Sequence, residues 1–139
     1  MVRKTSAWLI LAAMFMLAGN ISWGEELSPE ATVSTYYNAL KNGKFEQAAE
    51  YISKNMRGDK TKEQWANEWR ETFKTGNVGI SEISVLAGEI EGDQATVRIK
   101  TISQDRFNPQ GIEENETDYL IKEDGVWKID QTEVDLPSL

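Results

Sequence analysis

Gln94-Ala95-Thr96-Val97-Arg98-Ile99-Lys100-Thr101-Ile102-Ser103 is the stretch on which the fold turns. Ala95, Val97, Ile99 and Thr101 fall on one side, and Thr96, Arg98, Lys100 and Ile102 on the other. Successive side chains of a β-strand point to opposite faces, so this alternation predicts a strand with one buried and one wet face. Before it, Glu91-Gly92-Asp93 turns the chain. From Val78, the residues Ile80, Ile83, Val85, Leu86 and Ile90 predict a first strand, whose irregular period asks for a bulge between Ser84 and Gly88.

After it, Asn108-Pro109-Gln110-Gly111 marks a reversal. Glu113 to Lys122 then reads as a third strand, with Asn115, Thr117, Tyr119 and Ile121 expected inward and Glu114, Glu116 and Asp118 toward solvent. A turn at Glu123-Asp124-Gly125 leads into Val126 to Thr132, where Trp127, Ile129 and Gln131 are expected inward and alternate with Lys128 and Asp130. The tail from Glu133 to Leu139 is expected to be loosely held.

Upstream the period changes to that of helices. Ser28-Pro29-Glu30 supplies a hydroxyl cap, a residue with preset φ and an acid facing the positive dipole end, so a helix is expected from Pro29 to about Lys41. Val33, Tyr37 and Leu40 make its stripe, Tyr36 flanks it, and Gly43 is its left-handed stop. Phe45, Ala48, Ala49 and Ile52 predict a short second helix from Lys44 to about Ile52. After a polar stretch from Ser53 to Lys60, Thr61 and Gln64 have capping-box spacing. They open a third helix, ended by Gly76, on which Trp65, Trp69 and Phe73 lie one turn apart. Helices followed by an antiparallel four-stranded meander make an α+β layout, with N-terminal helices packed on one side of a curved sheet.

Residues 1–24 read as a secretory signal peptide. Arg3 and Lys4 precede an apolar run from Ala7 to Ala18. Its twelve residues reach about 18 Å as a helix, short of the ~30 Å hydrocarbon slab, and small Ser22 and Gly24 place the cut before Glu25. The expected product, residues 25–139, is one domain delivered to the periplasm or the medium. The chain has no cysteine, which excludes a lipid-modified cysteine, disulfides and thiolate chemistry. Loss of Arg3 and Lys4 takes the formal charge two units down, from −8 to −10. Such a surface repels phosphate backbones, so no nucleic-acid partner is expected.

Ser28-Pro29-Glu30, Val33, Tyr36, Tyr37, Asn38, Ala39, Leu40 and Lys41, followed by Gly43, Phe45, Ala48, Ala49 and Tyr51, resemble the first helical hairpin of the nuclear transport factor 2-like superfamily. Lys122 to Asp130 is similar to its final hairpin. Among its members the likeness is to small exported bacterial domains of unknown function. The resemblance implies a cystatin-like cone in which a curved sheet wraps the first helix and leaves a pocket open at one end. Isomerases, dehydratases, small-ligand binders and interaction modules all use that shape, so function must be argued from the site.

The chain has no histidine, and the expected inner face offers Tyr37, Thr101, Thr117, Tyr119 and Gln131 but no carboxylate. Acid/base catalysis wants a group that titrates near working pH, so no catalytic residue is assigned. Tyr37, Trp65, Trp69, Tyr119 and Trp127 are the expected wall of a ligand cavity, because Trp and Tyr join apolar faces to one polar handle each. The alternation of Glu113, Glu114, Glu116 and Asp118 along a strand does not suit a hard-cation loop, so neither metal nor cofactor is expected. The expected function is a non-catalytic binding or accessory module of the cell envelope, holding a small apolar molecule or an envelope protein. The alternatives are an isomerase, dehydratase or hydrolase working through Tyr37 with Asp118 or Asp130, and a structural protein that self-associates, as a homodimer, through its open sheet.

Overall fold

The structure, a computed structural model, describes residues 26–135. The expected leader lies outside these residues, as does the end of the tail. Helices α1 (Pro29–Lys41), α2 (Phe45–Ala49), α3 (Lys54–Arg57) and α4 (Lys62–Gly76) precede strands β1 (Gly79–Glu91), β2 (Gln94–Gln104), β3 (Ile112–Glu123) and β4 (Val126–Val134). The strands form one antiparallel meander in the order β1-β2-β3-β4. The α+β layout expected from the sequence is therefore the one observed, with helices on one face of the sheet.

Each helix starts where its cap permits. Ser28 Oγ accepts from the Ala31 amide at 3.1 Å, and Pro29 opens α1 without wasting a donor. Ser53 Oγ caps Met56 N at 3.0 Å and nucleates α3, a single turn inside the stretch expected to be merely polar. Thr61 and Gln64 form the complete capping box of α4, which ends on Asn77 in the left-handed conformation at φ 51°. Asn77, and not Gly76, thus supplies the stop, since a short amide side chain tolerates that region.

α1 packs against β1, β2 and β4, α2 bridges α1 and α4, and α3 rests on β4. Val33, Ala48, Ala49, Ile52, Val97, Ile99, Leu120 and Ile129 are sealed between the layers. Burying each large aliphatic chain among them contributes about 1.5–3 kcal/mol. The free edge of β4 is partly covered: Ser53 N donates to Ile129 O at 2.9 Å and Ile129 N to Tyr51 O at 2.8 Å, a short parallel bridge centred on Ile52.

Register decides what faces the helices. Ala95, Val97, Ile99 and Thr101 point inward as the alternation requires. β1 shifts register between Ile80 and Glu82 and between Val85 and Ala87, the second inside the stretch where a bulge was expected. On β3 the expected faces are exchanged. Leu120 and Asp118 are buried, and Glu116 and Glu114 continue that inner row, opposite Ala95, Val97, Ile99 and Thr101 in turn. Asn115, Thr117, Tyr119 and Ile121 take the outer face. The reason is cross-strand: Leu120 fits between Ala95 and Ile129, and further along the strand Asp118 meets the Thr132 hydroxyl and Glu116 that of Tyr37.

β4 changes faces part way. Between Tyr119 and Leu120 the pairing shifts, so that Ile129 opposes Leu120 while Gln131 opposes Tyr119, and Asp130 is the extra residue. Trp127 and Ile129 therefore face inward before the bulge, and Thr132, opposite Asp118, after it. Gln131, expected inward, is exposed on the outer side. Asp130 is held by Ser53 Oγ, which donates to it at 2.6 Å.

Candidate functional site

A cavity of about 350 Å³ opens between α1, α4 and the inner sheet face. Tyr36 and Leu40 from α1, Trp69 and Phe73 from α4, and Val78 and Ile80 give it apolar walls. Tyr37, Thr101, Glu114, Glu116 and Thr132 gather on the sheet side. Trp69 and Phe73 stand one turn apart on α4, their rings meeting edge to face at 5.9 Å. A broader hollow of about 480 Å³ beside the β1–β2 turn is lined by Glu89 to Glu91 of β1 and Gln94 to Thr96 of β2, with no aromatic side chain among them. The aromatic-lined cavity, to which α1, α4 and the sheet all contribute, is the candidate.

Its polar end is a chain of hydrogen bonds. Tyr37 Oη donates to Glu116 Oε2 at 2.5 Å and lies 3.3 Å from Asp118 Oδ1. Thr132 Oγ1 donates to Asp118 Oδ1 at 2.8 Å. A phenol has one hydrogen, and it goes to Glu116. Asp118 is 0% exposed, and its Oδ2 is buried with no hydrogen-bond partner among the described residues.

Burial drives the electrostatics. It pushes the Asp118 carboxyl up to about 6, against the pull of the Thr132 hydroxyl, and the neighbouring Glu116 charge adds to the rise. Glu116 is raised for the same first reason, with Glu114 adding to it and the Tyr37 hydrogen bond opposing. The Tyr37 and Tyr36 phenols are driven far upward by burial and by the two carboxylates, so both remain protonated donors. The site thus holds fixed hydroxyl donors, surplus carboxylate acceptors, and a carboxyl able to exchange a proton near neutrality.

Of the residues expected to line a cavity, Tyr37 and Trp69 do so. Trp65 is buried behind them, its ring 6.3 Å from Tyr36 and 5.7 Å from Trp69. Trp127 is buried with Ile129 on the inner face, with Lys122 Nζ 5.1 Å above its ring. Tyr119 is on the opposite face of the sheet, donating to Glu133 at 3.1 Å. The expectation of an inner face without carboxylates is overturned by Glu114, Glu116 and Asp118, whereas Arg98 is exposed and Asp130 is taken by Ser53. The signal was present in the sequence: these three acids recur at period two, and they line up against the one strand whose inner face was unambiguous.

No family model matches the chain, and no curated protein does. Solved structures do share its fold. A SEC-C motif containing protein from Rhodopseudomonas palustris is 20% identical, with a TM-score of 0.62 over 76% of this chain and 77% of that one. A domain of unknown function with a cystatin-like fold from Nostoc punctiforme is 15% identical, with a TM-score of 0.59 over 76% and 72%. A ketosteroid isomerase-like protein from Erwinia carotovora atroseptica is 17% identical, with a TM-score of 0.56 over 74% and 88%. The fold is accordingly that of the nuclear transport factor 2-like and cystatin-like domains.

Proposed function

We propose that this chain is an exported, non-catalytic binding module of the cell envelope that holds one small, largely apolar molecule in its cone. The cavity carries the reading: aromatic and aliphatic walls meet a fixed polar end, the arrangement by which small-molecule sites combine affinity with orientation. Export rests on the leader pattern of residues 1–24. Titration of the purified protein with small aromatic alcohols, amines and carboxylic acids tests it, read by tryptophan emission and amide shifts. Binding should perturb Trp69 and the amides of α1 and β3. Unchanged spectra with every one of these probes at millimolar concentration would remove the proposal.

A second reading, acid/base catalysis on a small substrate, is favoured by one observation: Glu116, a cavity-lining carboxyl that burial raises above its ordinary range, accepts from the Tyr37 hydroxyl. One fold neighbour is described as ketosteroid isomerase-like. Glu116 lines the cavity whereas Asp118 is sealed beneath it, so Glu116 would be the group that meets substrate. Exchange of α-hydrogens of small ketones with deuterated solvent, abolished in Glu116→Gln, would support this reading over simple binding.

A further inference from the structure

We infer that the molecule the cone accepts is an organic cation, an amine whose ammonium group sits against Glu114 and Glu116 while its apolar body lies on Trp69 and Phe73. The inference rests on the binding reading above and names its ligand class.

Charge is the first argument. Among the described residues the charged side chains lining the cavity are both carboxylates, Glu114 and Glu116, with no lysine or arginine beside them. Lys100 of β2 points to Glu113, and Arg106, in the loop after β2, donates to the Thr75 carbonyl at 2.6 Å. A bound anion would be repelled by both part-buried carboxylates, with only partial screening by solvent and salt.

Hydrogen-bond supply is the second. The Tyr37 hydroxyl hydrogen is spent on Glu116 Oε2 and that of Thr132 on Asp118, while at the cavity Glu116 Oε1 and the Glu114 carboxylate make no hydrogen bond among the described residues. The polar end is therefore short of donors and rich in acceptors. An ammonium group carries up to three donors and no acceptor, which complements that deficit. Charge-assisted bonds to carboxylate are also the stronger kind.

The walls are the third. Aromatic faces attract cations, and Tyr36, Trp69 and Phe73 place three rings around the space beside the acids. A metal ion is the competing cation, but no three acidic side chains among the described residues converge as a metal donor set. Carboxylates spaced along a strand serve an extended organic ligand better than a point ion.

The test compares three probes of similar size on the purified protein: 2-phenylethylamine, 2-phenylethanol and 3-phenylpropionate. The amine should bind about tenfold or more tighter than the alcohol, and the acid weakest of all. The preference should shrink with added salt and disappear in Glu116→Gln and Glu114→Gln, both of which keep the shape of the site. Equal or tighter binding of the alcohol by the wild-type protein would overturn the cation assignment and leave the binding reading standing. Failure of all three probes to bind would overturn both.

Discussion

The Tyr37 hydroxyl of α1 and the Glu116 carboxylate of β3, 79 positions apart in the chain, are joined by a hydrogen bond of 2.5 Å between helix and sheet. That bond ties helix to sheet at the polar end of the cavity, and it puts a donor beside a carboxylate that burial disfavours as an ion. Tyr37→Phe removes the donor and keeps the ring. The expected result is a loss of about 1–3 kcal/mol in urea denaturation at neutral pH, as for other buried polar groups left unpaired. The loss should shrink at acid pH, where Glu116 is protonated. An unchanged midpoint would mean that water replaces the phenol without cost.

Asp118 makes stability depend on pH in an unusual direction. Its folded pKa, about 6, lies above the ordinary 3.8, so the folded state binds more protons than the unfolded state between those values. Stability from this group is gained as pH falls from above 6 toward 4 and is absent above 6. Tyr36 and Tyr37 of α1, Thr132 of β4 and Glu116 on the same strand face it, and the two tyrosines stay neutral throughout. The effect is worth about 3 kcal/mol at most, at roughly 1.4 kcal/mol per unit. Asp118→Asn keeps an acceptor for Thr132 and should lose this slope, melting above the wild type at pH 7.5. Parallel melting curves for the two proteins from pH 4 to 8 would refute it.

Trp65 and Trp69 are neighbours on α4 with different duties. Trp65 is 4% exposed within the core, and its truncation to alanine should cost about 3–5 kcal/mol, or prevent folding. Trp69 stands half-buried at the cavity wall, so Trp69→Ala should cost clearly less stability while weakening ligand binding. Denaturation and titration of the two variants together separate scaffold from wall.

Thr61 starts α4 by accepting from Gln64 N at 3.1 Å, while the Gln64 side chain accepts from Thr61 N at 2.9 Å. Thr61→Ala should lower stability by about 1 kcal/mol, and Thr61→Ser should restore most of it. Because α4 carries Trp69 and Phe73, fraying there should also increase hydrogen exchange in its first turn.

Much of this molecule was fixed by short-range rules that a sequence displays. The starts of α1 and α4 follow from Ser28-Pro29 and from Thr61 with Gln64, because a cap lies within a few residues of the amide it satisfies. β2 shows its faces because only one of them is uniformly suited to burial. The glycine turns did the same for the hairpins: Gly92 at φ 64°, and Asp124 and Gly125 at 54° and 77°, adopt the left-handed angles that two-residue turns need. The bulge in β1 was legible too, since its apolar residues could not be reconciled with one unbroken period.

What only the tertiary structure decided is the orientation of β3 and the bulge at Asp130, and with them the candidate site. Both faces of β3 carry apolar residues, Leu120 on one and Tyr119 with Ile121 on the other, so alternation alone had no means of choosing. The choice was made by partners far away in the chain. Ala95 and Ile129 receive Leu120, Tyr37 meets Glu116, and Thr132 meets Asp118 once the extra residue in β4 has turned it inward. A strand's face is set by what stands opposite it, and in this protein the groups opposite were hydroxyls able to make buried carboxylates tolerable.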